Sequence, residues 1–400
     1  MTSTLLEEIY EQPAVLRRLI DAEMEPMTRL AQVLHARDFR YVVIAARGTS
    51  DNAARYAQYL IGVTLGMPVA LATPSLHTCY GAHLRFDGAL VIGISQSGAS
   101  PDICTVVSDA RHSGAPTIAI TNHPESPLAQ AAEFVVPIHA GIERSIAATK
   151  TYTAQLAALA MLTLSLANDA AGLATLATIP DAMEATLALD ERMREIAGEM
   201  TGATAAITIG RGYHYATAWE IALKLKELTR VVAEPYSAAD FQHGPIALVH
   251  EGIPIVLIAT QGAVADDLAT LALLTLSLAN DTAGLATLAT IPDAMEATLA
   301  LDGRMHEIAG EMAGATAAIT IGRGYHYATA WEIALKLKEL TRIVAEPYSA
   351  ADFQHGPIAL VHEGIPIVLI ATQGAVADDL ATLALRLRDL GAHLTAVSDC

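Results

Sequence analysis

Short apolar runs alternate with longer stretches of helical periodicity in the first third of the chain. Runs without polar alternation are typical of parallel strands buried on both faces. Five such runs occur, at Tyr41–Ala46, from Pro68, at Ala89–Ile94, at Pro116–Ile120 and from Glu133. Amphipathic segments follow the first and third runs. This order predicts an α/β fold with five-stranded parallel sheets, doubly wound and Rossmann-like, in which helices cover both faces to form an α/β/α sandwich.

The rest of the chain contains a nearly perfect tandem repeat. Residues 162–273 recur as 274–385, an offset of 112 residues. The copies differ at five positions, namely Ala170/Thr282, Glu191/Gly303, Arg194/His306, Thr201/Ala313 and Val231/Ile343. This unit is longer than solenoid repeats of roughly 20 to 50 residues, and both its ends lie inside helical patterns. We therefore interpret the chain as a two-domain parent with a duplicated second domain.

The predicted segments follow from this interpretation. They are an N-terminal helical segment (1–35), a first α/β domain (36–168), a helical connector broken by Pro180 (169–202), copy one of the second domain (203–273), a repeated connector (274–314) and copy two (315–400). Since only one copy can pair with the first domain, we expect the other to dock poorly, remain undocked or exchange between subunits. Its open strand edges predict poor solubility.

Composition and charge narrow the function classes. The chain is 52% apolar and 17% charged, which excludes a disordered protein, and its net charge of −19 argues against nucleic-acid and membrane-surface partners. Cys79, Cys104 and Cys400 include no CxxC pair, so neither a disulfide framework nor a thiolate zinc site is indicated. A reducing cytoplasmic location fits this cysteine usage.

The sequence pattern predicts neither a signal peptide nor a membrane-spanning helix. The N-terminus is acidic and lacks the basic and apolar regions of a signal peptide. The longest apolar stretch, Ala154–Ala167, is shorter than the roughly 20 residues of a membrane-spanning helix. We interpret it as a buried helix.

Two predicted strand-to-helix turns are rich in Ser, Thr and Gly. The first contains Gly48, Thr49 and Ser50, and the second contains Ser95, Gln96, Ser97 and Ser100. Such turns offer hydroxyl groups, backbone N–H groups and a helix dipole, so a phosphate could bind there despite the net charge. Helix capping explains either turn alone equally well. Two of them on neighbouring crossovers favour a ligand site, although neither matches a nucleotide-binding motif.

Candidate acid–base residues lie in the repeated unit. Lys224 and Glu227 fall three residues apart on one helix face, and His243 precedes Gly-Pro in a loop. Copy two repeats them as Lys336, Glu339 and His355. By pattern alone, a Lys/Glu pair is more often a solvated ion pair and such a histidine more often a loop residue.

Five motifs together resemble the SIS (sugar isomerase) family. They are ARGTSDNAARY, ISQSGASPD, AGIERSIAATKTYTAQLAALA, ALKLKELTRVVAEPYSAADFQHGP and IPIVLIAT, in the family's order. The resemblance is to the isomerase half of glucosamine-6-phosphate synthase and to two-SIS-domain glucosamine-6-phosphate deaminases. It implies a small sugar-phosphate ligand, homodimers with the active site near the subunit interface, and neither cofactor nor metal.

The same resemblance implies roles for individual residues. The two hydroxyl-rich turns, including Gly48, form the phosphate site. Glu227 is the base that moves a proton between C1 and C2 of the opened sugar, and His243 opens the ring. Glu143 lies near the sugar's amino or hydroxyl group, although Arg144 beside it departs from the family's pattern.

The implied reaction converts glucosamine 6-phosphate and water to fructose 6-phosphate and ammonia. Position 2 is not Cys and no glutaminase domain precedes residue 40, which favours a deaminase or isomerase over a synthase. The family's C-terminal lysine segment has no counterpart after Cys400. A synthase-like isomerase without its glutaminase domain, a non-catalytic sugar-phosphate sensor and an inactive gene product remain alternatives.

Overall fold

A computed structural model describes residues 4–250, 252–258, 315–323, 326–341, 343–371 and 376–397. The chain divides into two compact units, Met1–Thr201 and Gly202–Cys400, and each is described by itself. The predicted repeated connector, residues 274–314, lies outside the described residues, as does the side chain of Glu339.

The first unit contains one parallel five-stranded sheet with the order β2-β1-β3-β4-β5. Its strands are β1 (Tyr41–Ala45), β2 (Val69–Leu71), β3 (Ala89–Ser95), β4 (Thr117–Thr121) and β5 (Phe134–Pro137). Each coincides with one of the five apolar runs, and β3 and β4 are buried along their whole length. The predicted α/β fold is therefore confirmed.

Nine helices of this unit lie among its described residues. They are α1 (Thr4–His35), α2 (Thr49–Leu65), α3 (Ser75–Thr78), α4 (Pro101–His112), α5 (Pro127–Ala131), α6 (Lys150–Leu166), α7 (Ala170–Leu176), α8 (Ile179–Leu187) and α9 (Asp190–Glu199). The buried helix predicted at Ala154–Ala167 is confirmed as part of α6. The last three helices occupy the predicted connector, and Pro180 lies in the first turn of α8.

Alternate residues of the sheet face two separate cores. Leu90, Ile92 and Ile94 of β3 pack in one core with buried residues of α1, α2 and α6. Val91, between them, packs in the other core with α4 and α5. Because both faces of the sheet are covered, its strands carry apolar residues on both faces, which is why they show no polar alternation.

The second unit contains both copies of the repeat. Copy one contributes β6 (Ala205–Gly210), α10 (Tyr213–Thr229), β7 (Val232–Ser237), α11 (Ala238–Phe241), a 3-10 helix (Pro245–Leu248) and β8 (Ile255–Leu257). Copy two contributes β9 (Ala317–Gly322), α12 (His326–Thr341), β10 (Val344–Ser349), α13 (Ala350–Phe353), a 3-10 helix (Pro357–Leu360), β11 (Pro366–Ile370), α14 (Ala377–Asp389) and β12 (His393–Val397).

The two copies form separate parallel sheets in the same strand register. Ala205 pairs with Val232 in copy one, and Ala317 pairs with Val344 in copy two. The described strands number three in copy one, in the order β7-β6-β8, and four in copy two, in the order β10-β9-β11-β12. The prediction of five-stranded sheets therefore matches the first unit, while the second unit's described sheets are smaller.

The copies also pack against each other. The Nζ of Lys226 in copy one lies 2.8 Å from both carboxylate oxygens of Glu346 in copy two. The expectation that one copy would dock poorly stays a prediction. The expectation considered only pairing with the first domain, whereas the repeat presents a surface that fits a copy of itself.

None of the described helices is both long and apolar enough to cross a membrane.

Candidate functional site

The first unit's sheet has a topological switch point between β1 and β3. The chain leaves β1 toward β2 on one side and leaves β3 toward β4 on the other. In doubly wound sheets a crevice forms outside the carboxyl ends of the strands at this point. Both predicted turns follow these two strands, so the structure brings them to one edge of the sheet.

The first turn begins α2 directly after β1. Gly48 occupies the N-cap position with φ of 54°, a left-handed conformation that favours glycine. Thr49 is the first helical residue and is half-buried, and Ser50 beside it is buried. The hydroxyl-bearing residues therefore lie at the positive end of the helix dipole, where an anion is stabilised.

The second turn is held by its own side chains. The Oγ of Ser95 accepts a hydrogen bond from Gly98 N at 3.1 Å, and the Oγ of Ser97 accepts one from Ala99 N at 3.3 Å. Gly98 has φ of 62°, and a side chain there would collide with Ser126. The turn is therefore fixed in shape, while Ser97 itself is exposed to solvent.

Ser100 occupies the N-cap position of α4 and Pro101 is the first helical residue, as predicted, but the Ser100 side chain makes no capping hydrogen bond. Arg47, which precedes the first turn, lies 3.0 Å from the carboxylate of Asp102 in the first turn of α4. This ion pair joins the two turns.

A cleft that the sequence patterns did not predict adjoins this edge of the sheet. Gln96 O accepts a hydrogen bond from Asn122 N at 3.2 Å. The Asn122 side chain donates to Gly141 O at 2.6 Å and accepts from Ala140 N at 2.9 Å. A cleft of about 820 Å³ follows, lined among others by Glu8, Arg18, Asn122, His123 and Lys150. Asn122 and His123 directly follow the fourth apolar run, so their position after a strand was the available signal.

Glu143 lies at the start of α6 rather than open to the cleft. One carboxylate oxygen accepts hydrogen bonds from Thr149 N at 2.7 Å and from Thr149 Oγ1 at 3.1 Å. The other oxygen accepts a bond from Thr151 Oγ1. Both oxygens thus stabilise the helix N-terminus, and the predicted contact between Glu143 and a sugar stays a prediction.

In the second unit, Lys224 and Glu227 lie on one face of α10, as their spacing predicts. Lys224 Nζ lies 2.7 Å from Glu227 Oε2 and 3.2 Å from Glu220 Oε1. Only 7% of the Glu227 side chain is exposed. Burial raises the pKa of Glu227 above its usual value, and the ammonium of Lys224 opposes that rise without cancelling it.

Glu227 lies against a loop of the other copy. A Cβ placed on Gly356 would lie 2.6 Å from Glu227 Oε1. Gly356 has φ of 131° and stands between His355 and Pro357. The resemblance to the family predicts that Glu227 acts with His243 of its own copy. The structure brings the carboxylate of copy one to the loop that carries the histidine of copy two, and only the folded contact between copies could show this.

The matching face of α12 in copy two is open to solvent. The side chain of Lys336 is 51% exposed and its Nζ lies 3.7 Å from Glu332, itself largely exposed. Lys336 and Glu332 of copy two therefore lack the buried environment of Lys224 and Glu220 in copy one.

Within the described ranges, no group of three or more His, Cys, Asp or Glu side chains is arranged to hold a metal ion. The first unit offers hydroxyl-rich turns and a mixed-charge cleft, which can bind an anion. The second unit offers a buried carboxylate, which can transfer protons.

A model of the SIS domain matches residues 37–165, 199–320 and 311–400. A glutamine–fructose-6-phosphate aminotransferase [isomerizing] from Symbiobacterium thermophilum is 34% identical over 273 residues, covering 64% of this chain and 45% of the relative. The chain thus spans less than half the length of this curated relative.

Two solved structures are also similar. A phosphosugar isomerase from Silicibacter pomeroyi DSS-3 is 37% identical with a TM-score of 0.66, covering 69% of this chain and 84% of that one. The C-terminal domain of glucosamine-fructose-6-phosphate aminotransferase from Francisella tularensis is 28% identical with a TM-score of 0.62, covering 69% and 81%.

Proposed function

Since the chain belongs to the SIS domain family, we propose that it is a sugar-phosphate isomerase and deaminase that converts glucosamine 6-phosphate and water to fructose 6-phosphate and ammonia. The observation that carries this proposal is the buried Glu227 carboxylate, whose pKa is raised by burial and which lies against the His355–Pro357 loop. A raised carboxyl pKa suits a group that must accept and return a proton near neutral pH.

The proposed chemistry is balanced without a cofactor. A histidine, His355 or His243, assists opening of the sugar ring. Glu227 then removes the C2 proton and delivers it to C1, while the amine nitrogen loses a proton and the C1 carbonyl oxygen gains one, so that C1 is reduced to a hydroxymethyl group and C2 is oxidised to an imine. Water hydrolyses this imine and releases ammonia. Lys224 would hold the Glu227 carboxylate in place through the 2.7 Å contact.

The two hydroxyl-rich turns of the first unit would bind the phosphate. Support comes from their position at the switch point, the two helix N-termini and the Arg47–Asp102 contact that joins them. Neutral hydroxyl and N–H donors suit a dianion that a net charge of −19 would otherwise disfavour.

A second candidate is the isomerising half of an aminotransferase, which the similarity to the Symbiobacterium thermophilum relative favours. Both reactions share the C1/C2 proton transfer. They differ in the fate of the nitrogen: the deaminase releases it as ammonia by hydrolysis, whereas the aminotransferase adds ammonia from a donor to the sugar.

An assay of the full chain with glucosamine 6-phosphate tests the proposal by following ammonia and fructose 6-phosphate. We expect both products in equal amounts, a 10²–10⁴-fold loss of rate in Glu227→Gln, and near-normal rate in the matched control Glu339→Gln. Interconversion of glucose 6-phosphate and fructose 6-phosphate without ammonia release from the amino sugar would favour the second candidate. Calorimetric binding of glucosamine 6-phosphate without any turnover would indicate a sensor and overturn the proposal.

A further inference from the structure

The contact between the two repeat copies is reciprocal. Lys226 of copy one pairs with Glu346 of copy two at 2.8 Å, and Lys338 of copy two pairs with Glu234 of copy one at 2.7 Å. Lys338 and Glu346 are the repeat equivalents of Lys226 and Glu234. The two ion pairs are therefore equivalent: exchanging copy one and copy two converts one pair into the other.

The surroundings of the ion pairs repeat in the same way. Lys226 Nζ lies 5.3 Å from the ring centre of Tyr348, and Lys338 Nζ lies 5.3 Å from that of Tyr236. Each tyrosine hydroxyl donates to the glutamate two residues before it. A contact in which residue i meets j and j meets i defines the isologous interface of a twofold dimer.

Burial makes this contact obligatory for each copy. The side chains of Lys226 and Glu346 are each only 4% exposed, and those of Lys338 and Glu234 only 3%. An unpaired charge at such a depth is strongly unfavourable. Because Lys226 finds its carboxylate on the other copy and not in its own, one copy by itself leaves its charges without these partners.

We propose that copy two takes, within the same chain, the place of a partner subunit, so that the repeat surface is satisfied intramolecularly and closed to a second chain. Its occupant is the chain's own second copy. Both copies belong to one chain, so their pairing is intramolecular and does not depend on the protein concentration. Pairing within the chain therefore prevails over pairing between chains at lower protein concentrations. Any homodimer of the full chain then uses another surface.

Charge reversal in the full chain tests the proposal. We expect Lys226→Glu and Glu346→Lys each to lower the melting temperature by about 10 °C, because each places like charges together in a buried site. Both reversals in one chain restore an opposite pair and recover at least half of that loss. The mirror substitutions Lys338→Glu and Glu234→Lys act as a matched control and follow the same pattern.

Mixing separates pairing within the chain from pairing between chains. Chains carrying Lys226→Glu alone and chains carrying Glu346→Lys alone are unfolded together and refolded at equal, micromolar concentrations. Intramolecular pairing predicts no recovery of the melting temperature in the mixture, since each chain keeps its own like-charge pair. Recovery in the mixture, together with a mixed dimer in native mass spectrometry, would show an exchange between chains and overturn the proposal.

Apolar substitutions at the same two positions keep the test valid if a charge-reversed variant does not fold. Lys226→Met or Glu346→Leu alone leaves one buried charge, whereas both together replace the ion pair with apolar side chains and cost little stability. A double variant close to the unaltered chain supports the contact within the chain. Additive losses in the double variant contradict it.

Discussion

Helices α10 and α12 carry the same residues but hold them in different environments. The Lys224 side chain of copy one is 20% exposed and contacts two carboxylates, whereas its equivalent Lys336 is 51% exposed. Both segments form helices, and the strands of both copies pair in the same register. Local sequence therefore determines the helix, while packing around it determines the electrostatic properties of its charged face.

This difference assigns unequal roles to the two copies. Copy one holds the buried carboxylate whose pKa is raised, and copy two offers the His355–Pro357 loop beside it. A duplicated sequence thus need not produce two equivalent sites. Substitutions at equivalent positions of the two copies measure how unequal they are.

The largest effect is expected from Gly356→Ala. Gly356 and Gly244 have similar positive φ values of 131° and 125°, so alanine strains both backbones alike. At Gly356 the added methyl group also presses on Glu227 of copy one. Because displacing a catalytic group by about 1 Å can cost 10²-fold, we expect roughly that loss of kcat in Gly356→Ala. Gly244→Ala, with a similar loss of melting temperature, should keep most of its activity, and equal kcat losses would contradict the unequal roles.

A shift in pH dependence is expected from Lys224→Met. Glu227 acts as a base when ionised, so activity falls as the pH drops through its raised pKa. The Lys224 ammonium lowers that pKa, and its removal should move the acid limb of the kcat profile to higher pH. Lys336→Met, on the exposed face of copy two, should leave the limb in place. If the acid limb of the kcat profile moves in both variants, or in neither, the pKa of Glu227 does not determine its position.

Equal effects are expected where the copies have the same surroundings. Thr208 Oγ1 donates to Ala218 O and Thr320 Oγ1 donates to Ala330 O, each at 2.8 Å, and both threonines are fully buried. Replacing either with valine removes this 2.8 Å buried hydrogen bond, at a cost of about 1 kcal/mol in unfolding free energy. Urea denaturation of the two variants checks this equality. Clearly different losses would mean that the copies differ in their sheets as well as in their charged faces.

The smallest effect is expected from Glu332→Gln in copy two. Its 3.7 Å pair with Lys336 lies in solvent, and exposed pairs contribute less than about 1 kcal/mol. Urea denaturation should show a change below about 0.5 kcal/mol. Glu220→Gln, the equivalent change in the buried face of copy one, should alter stability more. Matching losses would indicate that burial does not distinguish the two faces.

The first unit could be predicted from the sequence in some detail. Its strands are buried on both faces, so continuous apolar runs such as Ala89–Ile94 predict them. The positions of the turns at Gly48 and Ser97 follow from the ends of these runs. The spacing of Lys224 and Glu227 likewise predicted their contact. These features depend on residues close together in the chain.

The sequence could not predict what depends on contacts between copies. Nothing in the spacing of Glu227 indicates that it lies beside Gly356, nor that Lys226 pairs with Glu346. The hydrogen bonds from Thr149 and Thr151 to Glu143 could not be predicted either. In the sequence, a loop carboxylate that binds a ligand cannot be distinguished from one that caps a helix.

Solvent deuterium exchange tests the central claim most directly, that Glu227 of copy one moves the proton. Fructose 6-phosphate is incubated with the full chain in D₂O and its C1 hydrogens are followed by proton NMR. We predict that the unaltered chain and Glu339→Gln exchange one C1 hydrogen, and that Glu227→Gln does not. Exchange that persists in Glu227→Gln but disappears in Glu339→Gln would contradict the account.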